Sequence, residues 1–131
     1  MITLMAASSA FAAYPERPIT MIVGYGAGGV TDIMARALSN LMAKEMKGNI
    51  VVKNVAGAAG TMGAAELSNA RPDGYTLGYL PVGTMASQPN LRNLPYKWDA
   101  FTPIALVSDN PVAVVSTKRP PGRPSPRLLK F

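Results

Sequence analysis

The sequence predicts an α/β fold, a mostly parallel sheet with flanking helices. Three observations carry that expectation. Short strand-like runs, at 19–23, 50–52 and 76–80, the first rich in β-branched residues, are separated by stretches with helical spacing. The resulting β-α-β-α-β order needs crossover connections, which place neighbouring strands parallel. A loop of small residues follows each run, at 24–31, 57–63 and 82–85.

The elements follow in order. Pro18 precedes Ile19-Thr20-Met21-Ile22-Val23 and Gly24 closes it, so the run reads as a buried strand. From Thr31 the pattern turns helical, with Ile33, Ala37, Leu38, Leu41, Met42 and Met46 on one apolar stripe. Thr31 or Asp32 can cap its start, because a side-chain oxygen accepts an otherwise unpaired N–H. Gly48 stands where a helix-ending glycine belongs. A second strand at 50–52 leads into the glycine-rich turn 57–63 and a short helix from about Thr61 to Asn69. "RPDGY" is a turn signal before the third strand, 76–80. Two further strands are expected at 101–107 and 112–115, joined through Asp109-Asn110-Pro111.

Composition narrows the chemistry. The 131 residues suit one domain, and 48% hydrophobic with 15% charged residues belongs to a globular chain rather than a disordered one. With no Cys and no His, thiol nucleophiles, disulfides, Cys/His zinc sites and a Ser-His-Asp triad are excluded. No catalytic residue, metal site or cofactor is expected, and an enzyme is disfavoured. The net charge of +6 is uneven: residues 1–116 carry 8 basic and 7 acidic residues, whereas the last 14 carry 5 basic residues and no acid. The body is therefore near neutral, and no nucleic-acid partner is expected for it.

Both ends look separate from the body. Residues 1–12 read as the remnant of a signal peptide, with Ala10-Phe11-Ala12 as an A-x-A cleavage pattern. A basic n-region is missing from it, and a buried N-terminal helix is the other reading. Residues 118–131, with four Pro and one Gly, read as a basic disordered tail. Its sequence fits the product of a frameshifted or prematurely ended reading frame, or else a Pro-rich docking segment.

The three loops lie beyond the carboxyl ends of the strands, where open α/β sheets gather ligands and where helix N-termini favour anions. Gly24-x-Gly26-x-x-Gly29 matches a dinucleotide fingerprint. A dinucleotide site also needs an acid at the end of the second strand, and Asn54 stands there instead. A dinucleotide-binding, Rossmann-like enzyme fragment is therefore the runner-up reading. Tight turning without a ligand easily explains one glycine-rich turn, and two, each at the entry to a helix, are harder to explain that way.

The run Tyr14-Pro-x-Arg-Pro-Ile-Thr20, followed by "AGGVTD", "GAAGTMG" and "RPDGYTL" in that order, resembles Bug-type solute receptors. These are the periplasmic binding proteins of tripartite tricarboxylate transporters. The likeness continues through Leu94-Pro-Tyr96 and Phe101-Thr-Pro-Ile104 and covers about residues 14–117. It implies a two-lobed, Venus-flytrap fold of which residues 13–117 form the N-terminal portion of the first lobe. It also implies a small carboxylate solute held between lobes, membrane transporter subunits as partners of the full-length family, and a periplasmic location. Carried over by motif, the ligand-binding positions are Gly28, Gly29, Thr31 and Asp32 in the first loop. Ala59, Gly60 and Thr61 follow in the second, then Gly83 and Thr84 in the third. Tyr25 is expected to wall the pocket, and Asp32 to act as a helix cap rather than a direct ligand. The family's usual Pro-aromatic before "AGG" is here Gly24-Tyr25-Gly26, which is expected to loosen the first loop. Family members are considerably longer, so tight carboxylate binding is not expected of this chain.

Overall fold

The structure is a computed structural model, and it describes residues 14–109. The leader at 1–12, the strand at 112–115 and the tail at 118–131 lie outside the described residues.

Three strands, β1 (Ile19–Val23), β2 (Ile50–Asn54) and β3 (Thr76–Tyr79), form a parallel sheet in the order β2-β1-β3. The register pairs Met21 with Val52 on one side and with Leu77 on the other. β1, with the densest apolar run, takes the centre, and its Ile19, Ile22 and Val23 are fully buried. Helix α1 (Val30–Glu45) joins β1 to β2, and α2 (Thr61–Ser68) joins β2 to β3. The chain steps to one side of β1 and then back past it. With right-handed crossovers this reversal puts the two helices on opposite faces. Ala35, Leu38 and Met42 of α1 accordingly pack with Met21, Val23, Val52 and Leu77. On the other face Glu66 of α2 reaches Lys53 at 2.7 Å, and Leu67 covers Gly78 so closely that a Cβ there would lie 2.3 Å from it.

The amino-terminal segment is fastened to the "RPDGY" turn. Arg17 pairs with Asp73 at 2.8 Å and lies 4.0 Å over the Tyr75 ring, while the Tyr14 hydroxyl donates to the Gly74 carbonyl at 2.6 Å. Gly74 has φ +80, and the Asp73 carboxylate accepts the Tyr75 N–H, the turn chemistry the sequence announces. The Tyr14-Pro-x-Arg motif is thus a clasp near the amino edge of the sheet, where Thr20 N–H also donates to Tyr75 C=O.

Five expectations need correction. The buried face of α1 carries Asp32, Ala35 and Ser39, whereas Ile33, Ala37 and Leu41 of the expected stripe face outward. Apolar residues occur on both sides of this helix, so periodicity alone chose the wrong one in part. The N-cap is Gly29 without a side-chain bond, two residues before Thr31 and three before Asp32. At the other end the left-handed residue is Lys47 (φ +49), not Gly48. Gly48 N–H donates to Ala43 C=O and Lys47 N–H to Lys44 C=O, the paired bonds of a Schellman ending. Gly48 is small because Pro15 sits against it, 2.4 Å from where a Cβ would stand. Residues 101–107 form no strand. They follow a 3-10 turn at Trp98–Ala100 as irregular, unpaired chain with Ile104 and Leu106 exposed. Their strand-like composition meets no sheet edge, and β-propensity acts only through a neighbour to pack against. Finally, 82–85 is less a loop than the start of a π-helical turn, Gly83–Ser87, continued by the short α3 (Gln88–Leu91).

The outward side of α1 exposes Val30, Ile33, Met34 and Leu41. This side of the helix has no partner among the described residues, and exposed apolar patches of this kind drive association. Leu41, 65% exposed, is central to it. Leu41→Lys is expected to shift the chain toward monomer in size-exclusion chromatography with light scattering. It should leave the melting temperature within about 4 °C, because exposed substitutions change stability little. An unchanged mass distribution for a self-associating wild type would count against the patch.

Candidate anion-binding rim

All three strands run the same way, so the segments following β1, β2 and β3 emerge on one rim of the sheet. Adjacent β1 and β2 send their chains to opposite faces, the arrangement that parts loops and opens strand ends to ligands.

The first segment is fixed from below. A Cβ on Gly24 would lie 2.7 Å from the Gly60 carbonyl oxygen, and one on Gly63 would lie 2.7 Å from Gly24 Cα. The loop after β1 therefore rests main chain to main chain on the entrance of α2. Gly24 is a packing contact and supplies no slack; Gly26 is the open one, since a Cβ there would meet nothing within 4 Å. Gly28 has φ +81, and its N–H donates at 2.8 Å to Asp32 Oδ2. Asp32 is 2% exposed. Its carboxylate also accepts from Arg36 Nε at 3.0 Å and from Asn54 Nδ2 at 2.8 Å. The Arg36 hydrogen bond, then those of Gly28 and Asn54, hold its pKa far below the ordinary carboxylate range. Asn54 ties the group to the end of β2 and also donates to the Tyr25 carbonyl at 3.0 Å.

The second segment is strained. Gly57, Ala58, Ala59 and Gly60 all have positive φ, at 147°, 47°, 57° and 87°. For the two alanines this costs about 1 kcal/mol each. The carbonyls of this turn are satisfied on its inner side. Gly57 C=O accepts from Gly60 N–H (2.9 Å), and Ala58 C=O accepts from the Thr61 hydroxyl (2.9 Å). Ala59 C=O faces the hydroxyls of Tyr25 (3.2 Å) and Thr84 (3.3 Å). The Ala58 and Ala59 N–H groups have no acceptor among the described residues, and both residues are exposed.

The third segment meets the second through side chains. Tyr25 and Thr84 hydroxyls lie 3.2 Å apart, each also near Ala59 C=O. Two hydroxyl protons serve this triangle of one carbonyl and two hydroxyls, so both are spent inside it. Thr84 is 2% exposed, and its N–H donates to Pro81 C=O at 3.0 Å.

The structure thus gathers the sequence-selected residues on one rim but sorts them. Gly28, Gly60 and Thr61 have their N–H groups engaged internally, Thr61 with Ala58 C=O. Asp32, Thr84 and Tyr25 turn their polar atoms to protein partners. Left without an acceptor among the described residues are the main-chain N–H groups of four selected residues, Gly29, Thr31, Ala59 and Gly83. Ala58 and Val30 belong with them and were not selected. The first three N–H groups of α1, at Val30, Thr31 and Asp32, have no carbonyl one turn back, as at any helix start. Arg36, Asn54 and Tyr96 were also missed. The i,i+4 spacing of Asp32 and Arg36 was a usable signal; Asn54 and Tyr96 act across distant segments and gave none. Among the described residues no three His, Cys, Asp or Glu cluster as for a metal, and no helix is long and apolar enough to cross a membrane.

A family model described as "Tripartite tricarboxylate transporter family receptor" matches residues 34–125. The chain belongs to this receptor family. A UPF0065 protein of Agrobacterium vitis is 35% identical over 106 residues, covering 80% of this chain and 31% of that protein. BugT of Bordetella pertussis is 35% identical over 111 residues, covering 81% of this chain and 33% of its own length. Among solved structures, MatC from Rhodopseudomonas palustris with bound malate superposes with a TM-score of 0.66 at 37% identity, over 72% of this chain and 33% of that one. A TctC solute-binding protein from Polaromonas gives 0.58 at 39% identity, over 64% and 29%. The chain spans about a third of the length of these relatives. The family is one of solute-binding receptors rather than enzymes, and the solved structures that share this fold include a periplasmic transporter and a solute-binding protein. The three parallel strands and their helices match part of a lobe of that fold. The dinucleotide reading gains no support, and Asn54 is committed to Asp32 and Tyr25.

Proposed function

We propose that this chain carries the carboxylate-holding rim of a periplasmic solute receptor that serves a tripartite tricarboxylate transporter. Residues 13–117 are its first-lobe portion, preceded by a signal-peptide remnant and followed by an aberrant basic tail. The chain performs no catalysis. Its ligand is a small carboxylate, and its partners in the full-length setting are the membrane subunits of the transporter. The observation that carries the reading is the accounting of the strained turn. Its carbonyls are satisfied within the protein, while the Ala58 and Ala59 N–H groups stand exposed on the rim. The first-turn amides of α1, at the positive end of its dipole, stand on that rim too. Main-chain donors suit a carboxylate, because bonds to a charged acceptor are the stronger kind. Malate in the related MatC structure supports the substrate class.

Binding to this chain alone is weak. The rim holds an anion from one side, and hydrogen bonds left open to water contribute little net free energy. Two shallow depressions, of about 350 and 500 Å³, include none of the residues selected for the rim. Isothermal titration with succinate, malate and citrate is expected to give constants no tighter than about 1 mM, near 4 kcal/mol of binding free energy. Amide resonances of Val30, Thr31, Ala58 and Ala59 should shift in the same titration followed by NMR. A micromolar constant overturns the impairment. Saturating shifts elsewhere, with none on the rim, overturn the site.

A further inference from the structure

The Leu94-Pro-Tyr96 and Phe101 motif lends no donor to the rim, and Tyr96 is nonetheless among the most buried residues of the fold, 4% exposed. Its hydroxyl donates to the Thr84 carbonyl at 2.8 Å. Its ring meets Phe101 edge-on, with centroids 5.4 Å apart and planes at 67°. Burial pushes the phenol pKa up, which keeps it the neutral donor this bond needs. Thr84 in turn directs its hydroxyl to Tyr25 and to Ala59 C=O. Tyr96 thus grips the main chain of the third segment, and Thr84 passes that grip to the first two.

The third segment needs such a hold. Gly83–Ser87 is a π-helical turn, a conformation rare outside single turns, and the α3 that follows is only four residues long. Neither element is stable by its own hydrogen bonding.

We propose that Tyr96 is a positioning residue for the rim: it pins the π-helical turn through the Thr84 carbonyl. Through Thr84 and Tyr25 it locks that turn to the strained Ala58–Ala59 segment, so that the three segments meet an anion as one preorganised surface. The proposal rests on the carboxylate reading for its purpose, but the brace itself is tested without a ligand.

The test uses the 131-residue chain labelled with ¹⁵N, with hydrogen exchange and a succinate titration read residue by residue. Tyr96→Phe keeps the ring and its contact with Phe101 and removes only the hydroxyl. Exchange of the 85–87 amides and of Gly60 should rise about tenfold while that of Met21–Val23 stays unchanged, a local opening rather than a global loss. Succinate-induced shifts at Val30 and Thr31 should persist, and those at Gly83 should disappear. Thr84→Val leaves the Tyr96 bond to the carbonyl in place, so it should raise exchange at Gly60 and spare 85–87. It serves as the deciding variant if Tyr96→Phe fails to fold. Exchange at 85–87 within about twofold of wild type in Tyr96→Phe, or equal loosening of both regions in Thr84→Val, overturns the brace. A wild-type chain with no succinate shifts on the rim removes the carboxylate reading, and the exchange pattern still judges the brace.

Discussion

Gly63→Ala is expected to lower the melting temperature of this chain by at least about 5 °C. Two effects oppose each other. Gly63 lies inside α2, where alanine is favoured over glycine by up to about 1 kcal/mol. The added methyl would stand 2.7 Å from Gly24 Cα, 3.2 Å from Gly24 N and 3.2 Å from the Val55 carbonyl oxygen. All three are main-chain atoms, which no rotamer change can move aside. Overpacking costs typically about 1–3 kcal/mol and more where only backbone can yield, so the clash wins. In a domain this small each net kcal/mol is worth roughly 4–8 °C. Separation of the first segment from α2 should also disturb the Tyr25 contact with Ala59, so rim amide shifts should move with stability. Gly26→Ala is the control: its added methyl meets nothing within 4 Å, and its φ is not in the left-handed region. Equal melting temperatures for Gly63→Ala and wild type, measured by circular dichroism, would refute the main-chain contact.

The second large effect is that of Asp32→Asn on the dependence of stability on pH. The Asp32 carboxylate accepts three hydrogen bonds, from Arg36, Gly28 and Asn54. An asparagine offers one oxygen and turns an NH₂ toward donors, leaving a buried mismatch. The folded-state pKa of Asp32 is depressed, with the Arg36 bond the largest cause. A group of this kind stabilises the fold fully above its unfolded pKa, about 3.9 for Asp, and that contribution is lost as pH falls toward the folded value. Asp32→Asn should therefore melt well below wild type at pH 7. The gap should narrow steadily below pH 4, because only the wild type has a carboxylate to protonate there. Melting curves from pH 7 to pH 2.5 measure it. A gap of constant size across that range would show that the charge of Asp32 contributes nothing through these bonds.

How much of the fold is legible in the sequence differs by element. β1 is legible to the residue, because a β-branched run bounded by Pro18 and Gly24 fits a buried central strand and little else. β2, β3 and α2 are legible to within one or two residues at their ends. The stripe of α1 is legible only in part, since the helix is apolar on two sides and a sequence does not say which side meets the sheet. Residues 101–107 read as a strand because composition records propensity and not whether an edge is at hand. Within the rim, glycine and small residues point to the right loops. They do not tell which N–H groups are engaged: Gly28 is taken by Asp32, Gly60 by Gly57, and Ala58 is left exposed. That division is made by contacts between separate segments of the chain, down to the strained turn folding back on itself.

By itself the sequence determined the alternation of strand and helix, and hence a parallel sheet with its small-residue turns on one rim, because side-chain periodicity and turn chemistry are local properties. It also determined the family, through motifs whose order is preserved from Tyr14 onward. The tertiary structure alone decided that Asp32 is a buried post for Arg36, Gly28 and Asn54, that Tyr25 and Thr84 spend their hydroxyls on Ala59, and that Tyr96 holds the Thr84 turn. The reason is that each polar group has a fixed number of hydrogen bonds to give or take. Which groups remain for a ligand is known only after every internal partner has been brought within reach.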